Sequence, residues 1–196
     1  MMDDAYYTEV IKKNQRQPPP LELLQALGDP YINWKVEKGP FGMSTLSYDH
    51  IDGSSDKPSV KGWLKILKQV KLMHNLGYIH GDLLPRNALF NGDNGYLIDF
   101  DLSRKEGENY VAAYNSRDFR CCRHDDAQRN EPMKKDHDLF ALIHMTRYFF
   151  RLQGGYDRII HTLKLDALIN LFENEDGTVI SVKDTTFNET KATRSL

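Results

Sequence analysis

Residues 80–87 read His-Gly-Asp-Leu-Leu-Pro-Arg-Asn, and residues 98–101 read Ile-Asp-Phe-Asp. Within them, Asn87 follows Asp82 by five residues, and Asp99 follows Asn87 by twelve. Carboxylate and amide oxygens are ligands that Mg²⁺ prefers, and a carboxylate can orient a hydroxyl group by accepting its hydrogen bond. This order of residue types is typical of a site that transfers a phosphoryl group from a magnesium-bound nucleotide.

The chain between these stretches predicts a β-hairpin. Residues 88–90 are apolar, 91–95 read Asn-Gly-Asp-Asn-Gly, and 96–98 read Tyr-Leu-Ile. The middle segment is a strong turn signal, and the flanking segments are typical of short strands. We expect such a hairpin to bring Asp99 back beside Asn87. Turn formation alone accounts for the Asn and Asp residues of the middle segment, but not for the polar residues at the two strand ends.

These motifs resemble the protein-kinase-like superfamily. The resemblance covers a catalytic loop at 80–87, a metal-binding segment at 98–104 and a later helix start at 138–142. It implies an α+β fold of the two-lobe kinase type, with a minimal N-terminal sheet and a mainly helical C-terminal lobe. The His-Gly-Asp triplet is also similar to the loops of aminoglycoside and choline kinases, and of divergent kinase-like proteins from fungi and oomycetes.

The resemblance also implies a role for each residue of the loop, with ATP and Mg²⁺ as cofactors. Asp82 is then the catalytic base or the group that orients the acceptor hydroxyl. Asn87 and Asp99 hold Mg²⁺ on the nucleotide phosphates. Arg86 supplies positive charge near the transferred phosphoryl group, and His80 braces the loop.

Asp138 begins an apolar helical segment and has two interpretations. The resemblance implies a buried carboxylate that clamps the backbone of the catalytic loop. An Asp at a helix start can instead cap the helix.

The nucleotide-binding residues of the first lobe are less well marked, since no Gly-rich loop occurs in the sequence. Lys12 resembles the strand lysine that contacts the phosphates, within a possible strand at 9–12, and Glu22 resembles its helix partner. Lys12 can equally be a surface lysine, and Glu22 a helix-start acid favoured by the helix dipole. Lys35 is a rival for the lysine, although too few residues follow it to fit a helix before the hinge.

The resemblance places a kinase-like domain at residues 1–176. Its reduced N-terminal lobe would span 1–48, a hinge and linker 49–57, and the C-terminal lobe 58–176, with a polar tail at 177–196. Hydrophobic spacing and Gly or Pro positions predict helices at 21–27, 58–76, 138–152 and 156–174, strands at 31–38 and 43–50, and an aperiodic loop at 103–133.

The composition of the 196-residue chain is that of a globular domain, with 40% hydrophobic and 28% charged residues. A net charge of −2 gives no indication of nucleic-acid binding. No apolar stretch approaches the roughly 20 residues of a membrane span, and the acidic N-terminus lacks a signal sequence. We therefore expect a cytoplasmic protein without nucleic-acid or membrane partners. The oligomeric state is not predicted.

Three functions are compatible with the sequence. The first is a protein kinase that phosphorylates hydroxyl side chains. The second is a kinase for a small-molecule alcohol, suggested by Gly81 and Pro85. The third is a pseudokinase or binding module, suggested by the missing Gly-rich loop. Asp82, Asn87 and Asp99 favour an enzyme, because a scaffold does not need a converging metal site.

Overall fold

The computed structural model describes residues 20–28, 35–38, 44–47, 50–111, 114, 120–150 and 164–173. Lys12, the strand predicted at 9–12 and the tail at 177–196 lie outside the described residues. In chain order the helices and strands are α1 (Leu21–Leu27), β1 (Lys35–Lys38), β2 (Ser44–Ser47), α2 (Val60–Asn75), β3 (Tyr78–Ile79), β4 (Ala88–Asn91), β5 (Asn94–Leu97), β6 (Arg104–Lys105), α3 (Lys135–Phe150) and α4 (Leu165–Asn170).

The strands of the described segments form separate antiparallel pairs, β1–β2, β3–β6 and β4–β5. Together with the helices they confirm the predicted α+β class, while the two-lobe kinase arrangement stays a prediction. Within the described residues, none of the helices combines the length and the apolar character that crossing a bilayer requires.

Helix α2 begins after Ser59, whose side chain accepts a hydrogen bond from the backbone N–H of Gly62 at 3.0 Å. The Ser59 hydroxyl also donates to the carbonyl of Gly92 at 2.7 Å, which ties the helix start to the β4–β5 turn. A cap of this kind typically contributes about 1 kcal/mol to stability. The inner face of α2 includes Trp63 and Leu67, both fully buried.

The hairpin predicted between residues 88 and 98 is confirmed. Asn91 pairs with Asn94 at the end of the ladder, so Gly92 and Asp93 alone form the turn. The turn is therefore shorter than the predicted segment 91–95, because both asparagines belong to the strands.

Other boundaries differ modestly from the prediction. Helix α3 begins at Lys135, before the predicted range 138–152. The prediction began too late because the first turn of this helix is polar and carries no hydrophobic periodicity. The described helical part of the predicted segment 156–174 is Leu165–Asn170. The loop predicted at 103–133 contains β6, which pairs with β3.

Two glycines allow α2 to lie directly against the hairpin. A Cβ atom built on Gly95 would overlap the backbone of Gly62, including its carbonyl oxygen. Backbone atoms cannot move aside as a flexible side chain can, so this contact requires glycine on β5. It fixes the position of the hairpin, and hence of Asn87 and Asp99, relative to the helix.

We predict that Gly95→Ala destabilises the protein by about 3 kcal/mol or more, at the upper end of overpacking effects. Gly92→Ala is the matched control: it lies in the same hairpin, where a Cβ has no atom within 4 Å. Because Gly92 has a φ of 56°, its substitution should cost about 1–2 kcal/mol. Urea unfolding midpoints measure both; equal losses would show that the Gly95 contact does not constrain the packing.

Candidate active site

The loop at 80–87 is anchored by a buried carboxylate. Asp138 lies in the first turn of α3 and is 2% exposed. Its Oδ2 accepts a hydrogen bond from the backbone N–H of His80 at 2.8 Å, and its Oδ1 accepts one from the N–H of Gly81 at 3.0 Å. Because α3 begins three residues earlier, at Lys135, the carboxylate serves the loop and not the end of its own helix.

A histidine completes the surroundings of this carboxylate. His74, near the end of α2, has its Nε2 3.0 Å from Asp138 Oδ2. Burial alone would raise the pKa of Asp138. The hydrogen bond and charge of His74, together with His80, outweigh that effect and hold the pKa below its ordinary value. The carboxylate is therefore ionised at neutral pH and joins α2, α3 and the loop.

The structure explains why a glycine stands between His80 and Asp82. Gly81 has a φ of 77°, in the left-handed region. A Cβ on Gly81 would also overlap the side-chain methyl of Met133, which is fully buried. Both the backbone conformation and the available space therefore disfavour a larger residue in this triplet.

The side-chain amide nitrogen of Asn87 faces Asp82. Nδ2 donates to the backbone carbonyl of Asp82 at 2.8 Å and to its carboxylate Oδ2 at 3.0 Å. Asn87 lies at the end of a single 3₁₀ turn, Pro85–Asn87. The amide oxygen takes part in neither bond, and an amide oxygen is a suitable Mg²⁺ ligand.

Asp99 is positioned by the open end of the hairpin. The backbone N–H of Ile98 donates to the carbonyl of Asn87 at 2.9 Å, which places Asp99 one residue beyond this pair. Asp99 has φ 63° and ψ 63°, a conformation that is uncommon outside glycine. Such backbone strain concentrates at functional sites. Oxygen donors from Asn87 and Asp99, completed by phosphate and water oxygens, fit the ligand preference of Mg²⁺.

His80, two residues before Asp82, is fully buried. Its ring packs on Phe100, with 5.0 Å between the ring centroids, and its Nδ1 accepts a hydrogen bond from the backbone N–H of Asp82 at 3.3 Å. Burial lowers the pKa of His80, against the opposing charges of Asp138, Asp82 and Asp99. A neutral imidazole in this position supports the loop without contributing charge.

The remaining predicted residues are Arg86, Glu22 and Lys12, the last of which lies outside the described residues. Arg86 is exposed on the Pro85–Asn87 turn. Glu22 accepts a hydrogen bond from the Tyr78 hydroxyl, and Lys105 Nζ lies 3.2 Å from its Oε1, so Glu22 ties α1 to the β3–β6 pair. The nucleotide-binding roles of Lys12 and Glu22 stay predictions.

Arg123 also belongs to the site, although no sequence motif marks it. Its guanidinium Nη2 is paired with Asp82 Oδ1, and its Nη1 donates to the carbonyl of Gly81 at 3.2 Å. The same guanidinium lies 4.8 Å from the ring centroid of Tyr114. Arg123 belongs to the aperiodic loop at 103–133, where no periodicity or motif distinguishes one basic residue from another.

We predict that Asp138→Asn destabilises the protein by about 2–4 kcal/mol at neutral pH, because it removes a buried charge that accepts two backbone hydrogen bonds. Asp136→Asn is the matched control, since Asp136 is exposed in the same helical turn. The Asp138 pKa is lower in the folded protein. Its stabilisation is therefore complete above the unfolded value of about 3.9 and is lost as pH falls through the lower folded value.

The wild-type advantage over Asp138→Asn should accordingly be constant near neutral pH and shrink only below about pH 4. Denaturant titrations across this range measure it. An advantage that disappears already between pH 7 and 5 would contradict the assignment of the ionised carboxylate.

Comparison with known proteins gives a short match to kinases. No family model matches the chain. The serine/threonine-protein kinase Kist of Homo sapiens, Mus musculus and Rattus norvegicus is 46% identical to it over 48 residues. The matched region covers 24% of this chain and only 12% of the length of each Kist protein. Part of the chain is therefore similar to a serine/threonine-protein kinase.

Proposed function

We propose that this protein transfers the γ-phosphoryl group of ATP, as its magnesium complex, to a hydroxyl group of a protein side chain. The observation that carries the proposal is the arrangement of Asp82, Asn87 and Asp99. The Asn87 amide nitrogen is bound to Asp82, while the hairpin holds Asp99 beyond the Asn87–Ile98 pair. This leaves the Asn87 amide oxygen and the Asp99 carboxylate as oxygen donors for a cation, and Asp82 as the carboxylate for the acceptor hydroxyl. The partial similarity to Kist supports a protein acceptor.

In this proposal one residue acts on the acceptor and the others act on the nucleotide. Asp82 accepts a hydrogen bond from the acceptor hydroxyl, directs its oxygen towards the γ-phosphorus and can take its proton as the new bond forms. The bond from the γ-phosphorus to the bridging oxygen breaks, and ADP leaves with that oxygen. Asn87 and Asp99 would hold Mg²⁺ on the phosphates, where it would neutralise the charge of the transferring group. Arg86, exposed on the neighbouring turn, would add positive charge. Lys12 and Glu22 remain candidates for further nucleotide contacts.

A small-molecule alcohol is the second candidate acceptor. The observation that favours it is Gly81, which has a φ of 77° and no room for a Cβ beside Met133, so the fold favours glycine in this triplet. A His-Gly-Asp triplet is similar to that of aminoglycoside and choline kinases. A pseudokinase remains the alternative without catalysis, since no Gly-rich phosphate loop occurs in the sequence.

We predict that two isosteric variants affect different quantities, one the phosphotransfer rate and the other nucleotide binding. Asp82→Asn should lower phosphotransfer by about 10²–10⁴-fold and leave nucleotide affinity unchanged, because Asp82 contacts the acceptor. Asp99→Asn should abolish magnesium-dependent nucleotide binding, because it removes a ligand charge. Transfer from labelled ATP to a generic acceptor protein and to alcohol substrates measures the first effect, and equilibrium nucleotide binding measures the second.

Asp93→Asn is the control, since Asp93 is exposed at the turn end of the hairpin, opposite the end that holds Asn87, and lies 2.9 Å from Lys61. It should change neither quantity. If wild type and Asp82→Asn are equally inactive while both bind nucleotide, the protein is a pseudokinase and the enzymatic proposal fails. If Asp99→Asn binds magnesium–ATP as tightly as wild type, the metal site is wrongly assigned.

A further inference from the structure

Arg123 makes two contacts with the loop that carries the proposed catalytic carboxylate. Nη2 is paired with Asp82 Oδ1 and Nη1 donates to the Gly81 carbonyl at 3.2 Å. The side chains of Arg123 and Asp82 are only 8% and 9% exposed. A guanidinium that is buried to this extent needs compensating contacts, and two of those that Arg123 makes are with the loop.

From this geometry we propose that Arg123 is the positioning residue of Asp82, and that the segment 120–123 is thereby part of the phosphotransfer site. The inference rests on the proposed function, because it assigns Arg123 a role in the same reaction. It adds a residue that the comparison with kinases does not supply.

Each carboxylate oxygen of Asp82 has a different partner. Asn87 Nδ2 donates to Oδ2 at 3.0 Å, and Arg123 is paired with Oδ1. A carboxylate with both oxygens bound has a fixed rotamer. An ionised carboxylate can accept about four hydrogen bonds, so these two contacts leave capacity for the acceptor hydroxyl. The arrangement is therefore compatible with catalysis while the arginine remains in place.

The need for such a contact follows from Gly81. A glycine with a left-handed φ contributes no side chain that could support its neighbour, and it has more conformational freedom than any other residue. Arg123 bridges the carbonyl of Gly81 and the carboxylate of Asp82, so it restrains the backbone and the side chain together.

The guanidinium is itself supported by a stack of aromatic rings. It lies 4.8 Å from the centroid of Tyr114, whose ring stacks on Tyr110 at 4.3 Å. Both tyrosines are almost completely buried. A cation–π contact of this kind restrains the guanidinium, so Arg123 has little freedom to leave Asp82.

A buried ion pair is weak support for stability, because the cost of removing two charges from water offsets much of their attraction. Control of geometry is the stronger reason for the contact. A displacement of about 1 Å at a reacting group can cost about 10²-fold in rate.

The test compares Arg123→Gln, Arg123→Lys and Arg123→Ala with Lys134→Gln. The last variant removes one positive charge from an exposed position of the same chain region, where Lys134 lies 3.5 Å from Asp126. We expect Arg123→Gln to lower kcat by about 10²-fold while KM for ATP changes less than about twofold. Arg123→Lys should recover part of the rate, and added guanidinium ion should partly restore Arg123→Ala. Lys134→Gln should behave as wild type.

Nuclear magnetic resonance of the Asn87 side-chain amide provides a readout that does not need activity. Its signals should shift in Arg123→Gln, because Asp82 loses one of its two anchors, and should not shift in Lys134→Gln. If the wild-type protein has no phosphotransfer activity but Arg123→Gln still shifts these signals, the proposed function fails. Arg123 would then still be the residue that positions Asp82.

Three results would overturn the inference. Unchanged Asn87 amide signals in Arg123→Gln would show that the arginine does not position Asp82. A higher kcat in that variant would show that the guanidinium blocks the acceptor. An unchanged kcat in an active enzyme would show that the contact has no part in the reaction.

Discussion

The hydrogen bonds from the backbone of His80 and Gly81 to the carboxylate of Asp138 are the interaction on which the site depends. Without this carboxylate, the buried N–H groups of His80 and Gly81 would need other acceptors. An unsatisfied buried donor costs about 1–3 kcal/mol. Because His74 binds the same carboxylate, the loop is joined to α2 and α3 at one point. This places His80 and Asp82 relative to the helical core.

The β4–β5 hairpin brings in the other half of the site. It lies against α2 through the close approach of Gly95 and Gly62, and its open end is closed by the bond between Ile98 and Asn87. The anchored loop and the packed hairpin therefore meet at Asn87, which donates hydrogen bonds to Asp82 and lies next to the strained backbone of Asp99.

Much of this arrangement could be predicted from the sequence because its signals are local. The turn segment around Gly92 predicts the hairpin, and the apolar spacing from Trp63 to Val70 predicts helix α2. The start of α3 was missed because its first turn is polar. Arg123 could not be predicted, since its contact with Asp82 joins an aperiodic loop to the catalytic loop. The left-handed conformation of Asp99 likewise depends on tertiary packing.

The proposed function depends on a magnesium site for a nucleotide at Asn87 and Asp99. Isothermal titration of the wild-type protein with ATP, in the presence of Mg²⁺ and then with excess chelator, tests it most directly. We expect saturable binding with Mg²⁺ and a loss of about tenfold or more in affinity without it, because the phosphate charges then face Asp99 unneutralised. Equal affinity in both conditions, or no binding in either, would contradict it.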